Sequence, residues 1–177
     1  MQSVEIQIAT ANDTDLLASL GRRAFYEAFG QYNDPADMQA YLDLAFNPEN
    51  IRSQINDSGN TFLIASLHQE PVGYAKLKRN STVPELKSAS VIHLERIYAL
   101  QEFIGKKVGK SLMEACLEIS RKEGYEKMWL SVWQENKTAI AFYEKWGFKV
   151  IGYKQFIIGQ EVNEDFVMCM DINTPAH

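Results

Sequence analysis

Apolar and polar residues change period several times along the chain, and each change predicts an element. Residues 4–9 alternate, which predicts a short strand. Thr10, Asn12 and Asp13 then offer N-cap oxygens ahead of Leu16, Leu17, Leu20, Ala24, Phe25, Ala28 and Phe29 at helical spacing. Asp34-Pro35 and Asn47-Pro48 each read as an N-cap with proline in the first turn, so two more helices start there. The first carries Met38, Tyr41, Leu42 and Ala45. Residues 61–67 and 72–78 read as strands joined by the polar turn His68-Gln69-Glu70-Pro71, and residues 80–87, with Pro84, as a loop. Residues 88–99 read as a long strand. The helix after it carries Val108, Leu112, Ala115, Cys116 and Ile119 on one face and ends near Gly124. A strand over 127–132 follows. Asn136 then N-caps a short helix through Trp146, closed by Gly147. Residues 149–158 and 161–170 read as two strands around a hairpin at Gly159-Gln160.

This order predicts a mixed α/β (α+β) fold with a central sheet of about seven strands flanked by helices. The strand–helix–strand over 88–132 should form a parallel pair with a right-handed crossover, and the carboxyl ends of such strands are where ligands bind. With 177 residues the chain is the size of one domain, 1–177, large enough to bury about 70% of its unfolded surface. Hydrophobic residues at 46% and charged residues at 23% argue against disorder, collagen and coiled coil. Eighteen Lys and Arg against 23 Asp and Glu give a formal charge of −5, which argues against a nucleic-acid partner. Cys116 and Cys169 form no CxxC pair and read as two buried, reduced thiols. His68, His93 and His177 lack ligand spacing, so no metal is expected. Residues 1–9 carry no signal-peptide core and no apolar run approaches the roughly 18 residues of a membrane span, so the expectation is a cytoplasmic protein without a membrane partner.

The segment richest in chemistry runs from Leu94-Glu95-Arg96-Ile97-Tyr98-Ala99 to Gly105-Lys106-Lys107-Val108-Gly109-Lys110-Ser111. A strand enters a glycine-bearing loop that opens a helix. Unpaired N–H groups and the positive end of the helix dipole make an anion site there, with Lys106, Lys107 and Lys110 adding charge. The plainer reading is a lysine-rich, solvated helix start. A P-loop would need glycine where Ile104 stands, because Gly105 lies one place too late for the Gly109-Lys110-Ser111 ending.

The strand, loop and helix resemble motif A of the GCN5-related N-acetyltransferases (GNAT), Q/R-x-x-G-x-G/A, laid on residues 104–109. Gly109 matches its last position; Ile104 and Lys107 depart from it. Asn136, Ala139, Phe142-Tyr143, Lys145 and Gly147-Phe148 resemble the family's motif B, N-x-x-A-x-x-F-Y-x-K-x-G-F. The early pattern Phe25-Tyr26-Glu27-Ala28-Phe29, Asn33, Asp37-Met38 and Tyr41-Leu42 is similar to the branch holding the bacterial spermidine/spermine acetyltransferases.

The resemblance implies a single GNAT-like domain that uses acetyl-CoA as co-substrate. The pyrophosphate would lie on the amides of Gly105, Lys106, Lys107, Val108, Gly109 and Lys110, and Asn136, Phe142 and Lys145 belong to the same cofactor-binding set. Backbone groups of Ile97, Tyr98 and Ala99 would pair with the pantetheine amides as an added strand. Tyr143 is the expected general acid, with core packing as its structural alternative. Glu95 is the first candidate to hold or deprotonate the amine, with a salt bridge to Arg96 or a lysine as its alternative. His93, on the same face, is a second candidate or a packed histidine. Glu27, Asp34, Asp37, Asp43 and Glu49 against Arg22, Arg23 and Arg52 mark the acceptor side, either as a polyamine site or as solvated helix faces. The acceptor implied is a small amine, polyamine first. A peptide or protein N-terminus, or a non-catalytic acyl-CoA-binding module, are the other readings. The chain is expected to be a monomer or a homodimer.

Overall fold

The computed structural model describes residues 3–173. Three of the four caps expected from the sequence form, while Asp13 heads α1 without a side-chain cap bond. Asp34 accepts from the amides of Ala36 and Asp37, Asn47 from Asn50, and Asn136 from Ala139. The helices they start are α2 (Pro35–Ala45), α3 (Pro48–Asn56) and α5 (Lys137–Trp146). Helix α1 (Thr14–Phe29) begins later than Asn12, because Thr10 and Asp13 close a one-turn 3-10 helix first. Helix α4 (Val108–Lys122) is followed by Gly124 at φ +81°.

Seven strands form one mixed sheet: β1 (Glu5–Ile8), β2 (Asn60–Leu67), β3 (Glu70–Lys78), β4 (Val91–Ala99), β5 (Lys127–Trp133), β6 (Lys149–Ile158) and β7 (Glu161–Asp171). Their order is β1-β2-β3-β4-β5-β7-β6, and only β4 and β5 run parallel. Two strand boundaries differ from expectation by more than one residue. Glu70 and Pro71 belong to β3, because His68 and Gln69 alone make the turn, both at positive φ. Residues 88–90 lie outside β4, behind a short turn at Pro84–Leu86.

The sheet separates two cores. On one face Leu63, Leu77, Ile92, Leu94, Met128 and Leu130 pack under Val108, Leu112, Met113 and Cys116 of α4. On the other, Phe62, Ile64 and Tyr74 pack under Leu17, Ala24, Phe25, Met38, Leu42 and Ile51 of α1–α3. Cys116 and Cys169 are both free and buried, as expected. His177 lies outside the described residues.

Gly73 sets how closely β3 approaches β4. A Cβ there would stand 2.6 Å from the Tyr98 carbonyl oxygen and 2.7 Å from Val108 Cγ1. Since neither the β4 backbone nor the root of α4 yields cheaply, Gly73→Ala should destabilise the protein by about 1–3 kcal/mol. A lower urea midpoint would show it; an unchanged midpoint would mean that β4 is looser than its packing implies.

Candidate functional site

Strands β4 and β5 part almost as soon as they meet. Their pairing covers Val91–Lys127, Ile92–Met128 and His93–Trp129 only. Beyond that, β5 continues on β7 as far as Trp133–Asp165, and β4 continues on β3 as far as Ala99–Gly73. The two edges that face each other are left open. The Leu100 amide bonds to the Val72 carbonyl, so by the two-residue alternation Tyr98 also turns its backbone toward β3. Ile97 and Ala99 therefore aim their amides and carbonyls into the opening. Of the three residues expected to pair with pantetheine, Tyr98 turns its backbone to β3 and packs its ring beside Phe25, Phe29 and Tyr74.

A bulge lies where the strands part. Lys76 pairs with Arg96 but Leu77 with Leu94, which leaves Glu95 without a cross-strand partner. The extra residue changes the phase of β4. As a result Glu95 and Arg96, neighbours in sequence, both reach the face covered by α1–α3: Glu95 meets Lys76, and Arg96 sits 4.8 Å over the Phe46 ring. Helix α1 spans the opening above them. Phe29 lies 6.3 Å from Tyr98 on β4 and 6.4 Å from Trp133 on β5, and Tyr32 lies 5.0 Å from Trp133.

The loop after β4 ends in a helix start rich in free donors. The Lys106 amide is spent on the Phe103 carbonyl, and the Lys106 ammonium lies 5.1 Å over the Phe103 ring. The first helical bond runs from the Ser111 amide to the Lys107 carbonyl. The amides of Val108, Gly109 and Lys110 precede it and point out of the helix end. Gly105 and Lys107 both take left-handed backbone, at φ +86° and +66°. Lys107 thus adopts, with a side chain, a conformation that favours glycine. Such a turn aims successive amides into one concavity suited to an anion.

Helix α5 brings Asn136 and Tyr143 to this region. Asn136 Oδ1 is used as the cap, which leaves its amide nitrogen for another partner. The Phe142 ring lies over Gly109, at ordinary contact distance (3.4 Å) from where a Cβ would stand. Tyr143 is buried against Phe142 and Phe148. Burial pushes its phenol well above the ordinary value, so it holds its proton at any working pH. Lys145 is exposed in the last turn of α5, at the far end from Asn136.

On the face under α1–α3 the charges are largely spent. Glu95 pairs with the buried Lys76 at 2.5 Å, and Lys76 also donates to Gln54. Burial raises the Glu95 carboxyl, but the Lys76 charge, with Arg96 behind it, outweighs that and pulls it below the usual range. Glu95 is thus ionised and weakly basic. His93 stacks flat on Trp129 at 3.6 Å and 5°, its Nδ1 3.1 Å from the Ser81 hydroxyl. It is a packed histidine, and burial pushes it down to about 3. Glu27 bonds Arg23 and the Gln101 amide, Asp43 pairs with Arg22, Asp34 caps α2, and Asp37 lies under the hairpin glycine Gly159. The carboxylate that sequence reasoning missed is Asp165. It is 8% exposed, and burial raises it to about 6, partly countered by Lys154. Its only sequence signal is phase: it falls in register with the inward Val167 and Cys169. Among the described residues no group of three metal-ligating side chains gathers.

Comparison with known proteins gives this geometry a context. Residues 17–148 match the model of the acetyltransferase (GNAT) family. An N-acetyltransferase of Lactobacillus delbrueckii subsp. lactis is 28% identical over 168 residues, covering 95% of this chain and 97% of its own. A spermidine N(1)-acetyltransferase of Thermoplasma acidophilum is 25% identical over 152 residues, covering 84% and 89%. The crystal structure of the PaiA N-acetyltransferase of T. acidophilum with coenzyme A superposes with a TM-score of 0.80 at 24% identity, over 96% of this chain and 99% of that one. The ribosomal-protein-S18-alanine N-acetyltransferase of Escherichia coli shares the fold at a TM-score of 0.71 and 16% identity, over 98% and 96%.

Two outcomes follow from the geometry. Lys107→Gly removes a left-handed side-chain penalty and should raise stability by about 0.5–1 kcal/mol, read from a urea melt, with coenzyme A affinity falling no more than a few-fold. Loss of binding would show that the lysine side chain, and not the turn, holds the ligand. His93 has a folded pKa below the ordinary 6.5, so its neutral form stabilises the fold above that pH, and the contribution fades as pH falls toward 3. Its imidazole resonances should therefore stay constant between pH 5 and 8; titration in that range would contradict the stacked, buried ring.

Proposed function

This chain belongs to the acetyltransferase (GNAT) family, and on that premise we propose that its acceptor is a small primary amine of the polyamine class, attacked directly with Tyr143 as general acid. That the protein is an acetyl-CoA-dependent N-acetyltransferase follows from the family match and the relatives. Acetyl-CoA supplies an activated acetyl thioester. The observation that carries the reading is the parting of β4 and β5 after three rungs, with Tyr143 and the open helix start of α4 on one side of the gap.

The residues present suit the co-substrate. Free amides of Val108, Gly109 and Lys110 offer donors for a pyrophosphate, helped by the left-handed turn at Gly105 and Lys107. Ile97 and Ala99 offer a strand edge to the pantetheine amides. The unused amide nitrogen of Asn136 is a further donor. Tyr143 gives its proton to the departing sulfur. Glu95, fixed at the bulge as a carboxylate, attracts the cationic acceptor. The polyamine class is supported by the spermidine N(1)-acetyltransferase relative. No helix among the described residues is long and apolar enough to cross a membrane, and a cytoplasmic setting belongs to the same reading.

The test is the initial rate of free-thiol release from acetyl-CoA with and without spermidine, beside an N-terminal peptide. A saturable, spermidine-dependent rate is expected. Acceleration by the peptide alone would replace the polyamine with a protein N-terminus. Tyr143→Phe should lower kcat roughly 100-fold or more while leaving the KM for acetyl-CoA unchanged. A variant with full kcat at every pH would remove Tyr143 from the proton path.

A further inference from the structure

A strongly basic amine must shed a proton before it can attack, and the groups first considered for that task are poorly placed to accept it. Glu95 is ion-paired with Lys76 and His93 is buried flat against Trp129. On β7, beyond the last rung that β5 shares with β4, stands Asp165. It is directly opposite Trp133, the last residue of β5, and directly opposite Lys154 on β6. Its alternation with Val167 and Cys169 puts it on the same side of the sheet as Trp129, whose ring carries Lys154 at 5.8 Å. That is the acceptor side, shared with His93, Glu95 and Arg96. The ion pairs of the described residues do not include Asp165. A carboxylate this buried, without a paired cation, is expensive to keep unless it does something.

Resting on the acetyl-transfer reading above, we propose that Asp165 is the catalytic base that takes the proton from the acceptor's ammonium. The balance is complete. One ammonium proton passes to the Asp165 carboxylate and on to solvent. The neutral nitrogen forms the C–N bond as the C–S bond breaks. Tyr143 protonates the sulfur, and the proton then lost by the acylated nitrogen restores Tyr143. The charged and titratable groups beside Asp165 are Lys154, opposite it on β6, and Glu164, next to it on β7, with Tyr32 against its β5 partner Trp133; His93 lies farther off, level with Cys169. Lys154 is the one that acts on its carboxyl, favouring the charged form, while burial moves it up to about 6. That value suits a base at neutral pH.

The test uses kcat/KM for the acceptor across pH 5–9 in the intact chain, Asp165→Asn and Asp165→Glu, with a strongly basic amine and with a weakly basic amine of pKa about 4, neutral across that range. The wild-type profile should show an acid limb near pH 6 with the basic amine, absent in Asp165→Asn. Asp165→Asn should lose roughly 100-fold on the basic amine but only a few-fold on the weakly basic one, which is largely neutral already. Asp165→Glu should recover much of the loss. Equal loss on both amines, an unaltered profile, or a rise in KM alone would overturn the assignment. Thermal melts guard against a folding artefact. The folded pKa lies above the ordinary Asp value, so the charged form penalises the fold once pH rises through 4 to 6; Asp165→Asn should melt higher than wild type at pH 8 and equally near pH 4. If the variant does not fold, the wild type still decides: its acid limb must disappear with the weakly basic amine. An enzyme that turns over neither amine would sink the acceptor reading, and this assignment with it.

Discussion

Three rungs of parallel pairing and then none: that limit between β4 and β5 governs the chemistry of the molecule. A backbone amide or carbonyl without a partner must find one in water, a side chain or a ligand. Here the open edges are not at the margin of the sheet but in its middle, where two strands are each held on their far side, β4 by β3 and β5 by β7. The fold can therefore keep the edges open at little risk to itself. Helix α1 holds them apart, since Phe29 rests on Tyr98 from one strand and Trp133 from the other. The backbone groups that folding leaves unpaired there are the ones that the proposed pairing with an acyl carrier's amides would use.

The bulge at Glu95 belongs to the same constraint. An unbroken strand would send Glu95 and Arg96 to opposite faces; one extra residue sends both to the face under α1–α3. The face then holds Lys76, Arg96 and Lys154 against Glu95 and Asp165, so neither sign of charge dominates it. Glu95 is stabilised as an anion by its neighbour, whereas Asp165 is left to burial. Two carboxylates on one face are thus driven in opposite directions, one toward a fixed charge and the other toward a proton acceptor. That division of roles is what acid–base chemistry at neutral pH requires.

Most of the fold was legible in the sequence because its signals are local. Asp34, Asn47 and Asn136 cap the helices that their spacing to proline or to the apolar stripe announces, and about seven strands were counted from alternation, apolar runs and the turns between them. Within the motif around Tyr143, that residue is buried in the core under α4 and Phe142 packs against the same core, as the helical stripe announced. What could not be read was anything set by register between distant segments. The bulge exists only in the pairing of β3 with β4, and the turn of Tyr98's backbone toward β3 follows from Leu100 bonding Val72. The Lys76–Glu95 pair needs two strands side by side; the sequence offered only Arg96 or an unnamed lysine. Asp165 had no motif at all. It was an acidic residue in the inward phase of a strand, a signal with meaning only once the slot beside it is known.

The phosphate-loop departures make the complementary point. Ile104 and Lys107 stand where the family pattern has a polar side chain and a glycine, and the loop forms regardless. Ile104 is exposed at 63% and braces nothing. Lys107 turns left-handed under its own side chain, and that turn keeps three helix-end amides pointing outward. The donors at this site are main-chain groups, so their direction depends on dihedral angles and not on residue names. A position can therefore break a side-chain pattern and still serve the site, provided that the backbone conformation is one its residue can bear. Gly109 shows the same tolerance: a Cβ there would reach Phe142 only at ordinary contact distance, so what the position supplies is its outward amide.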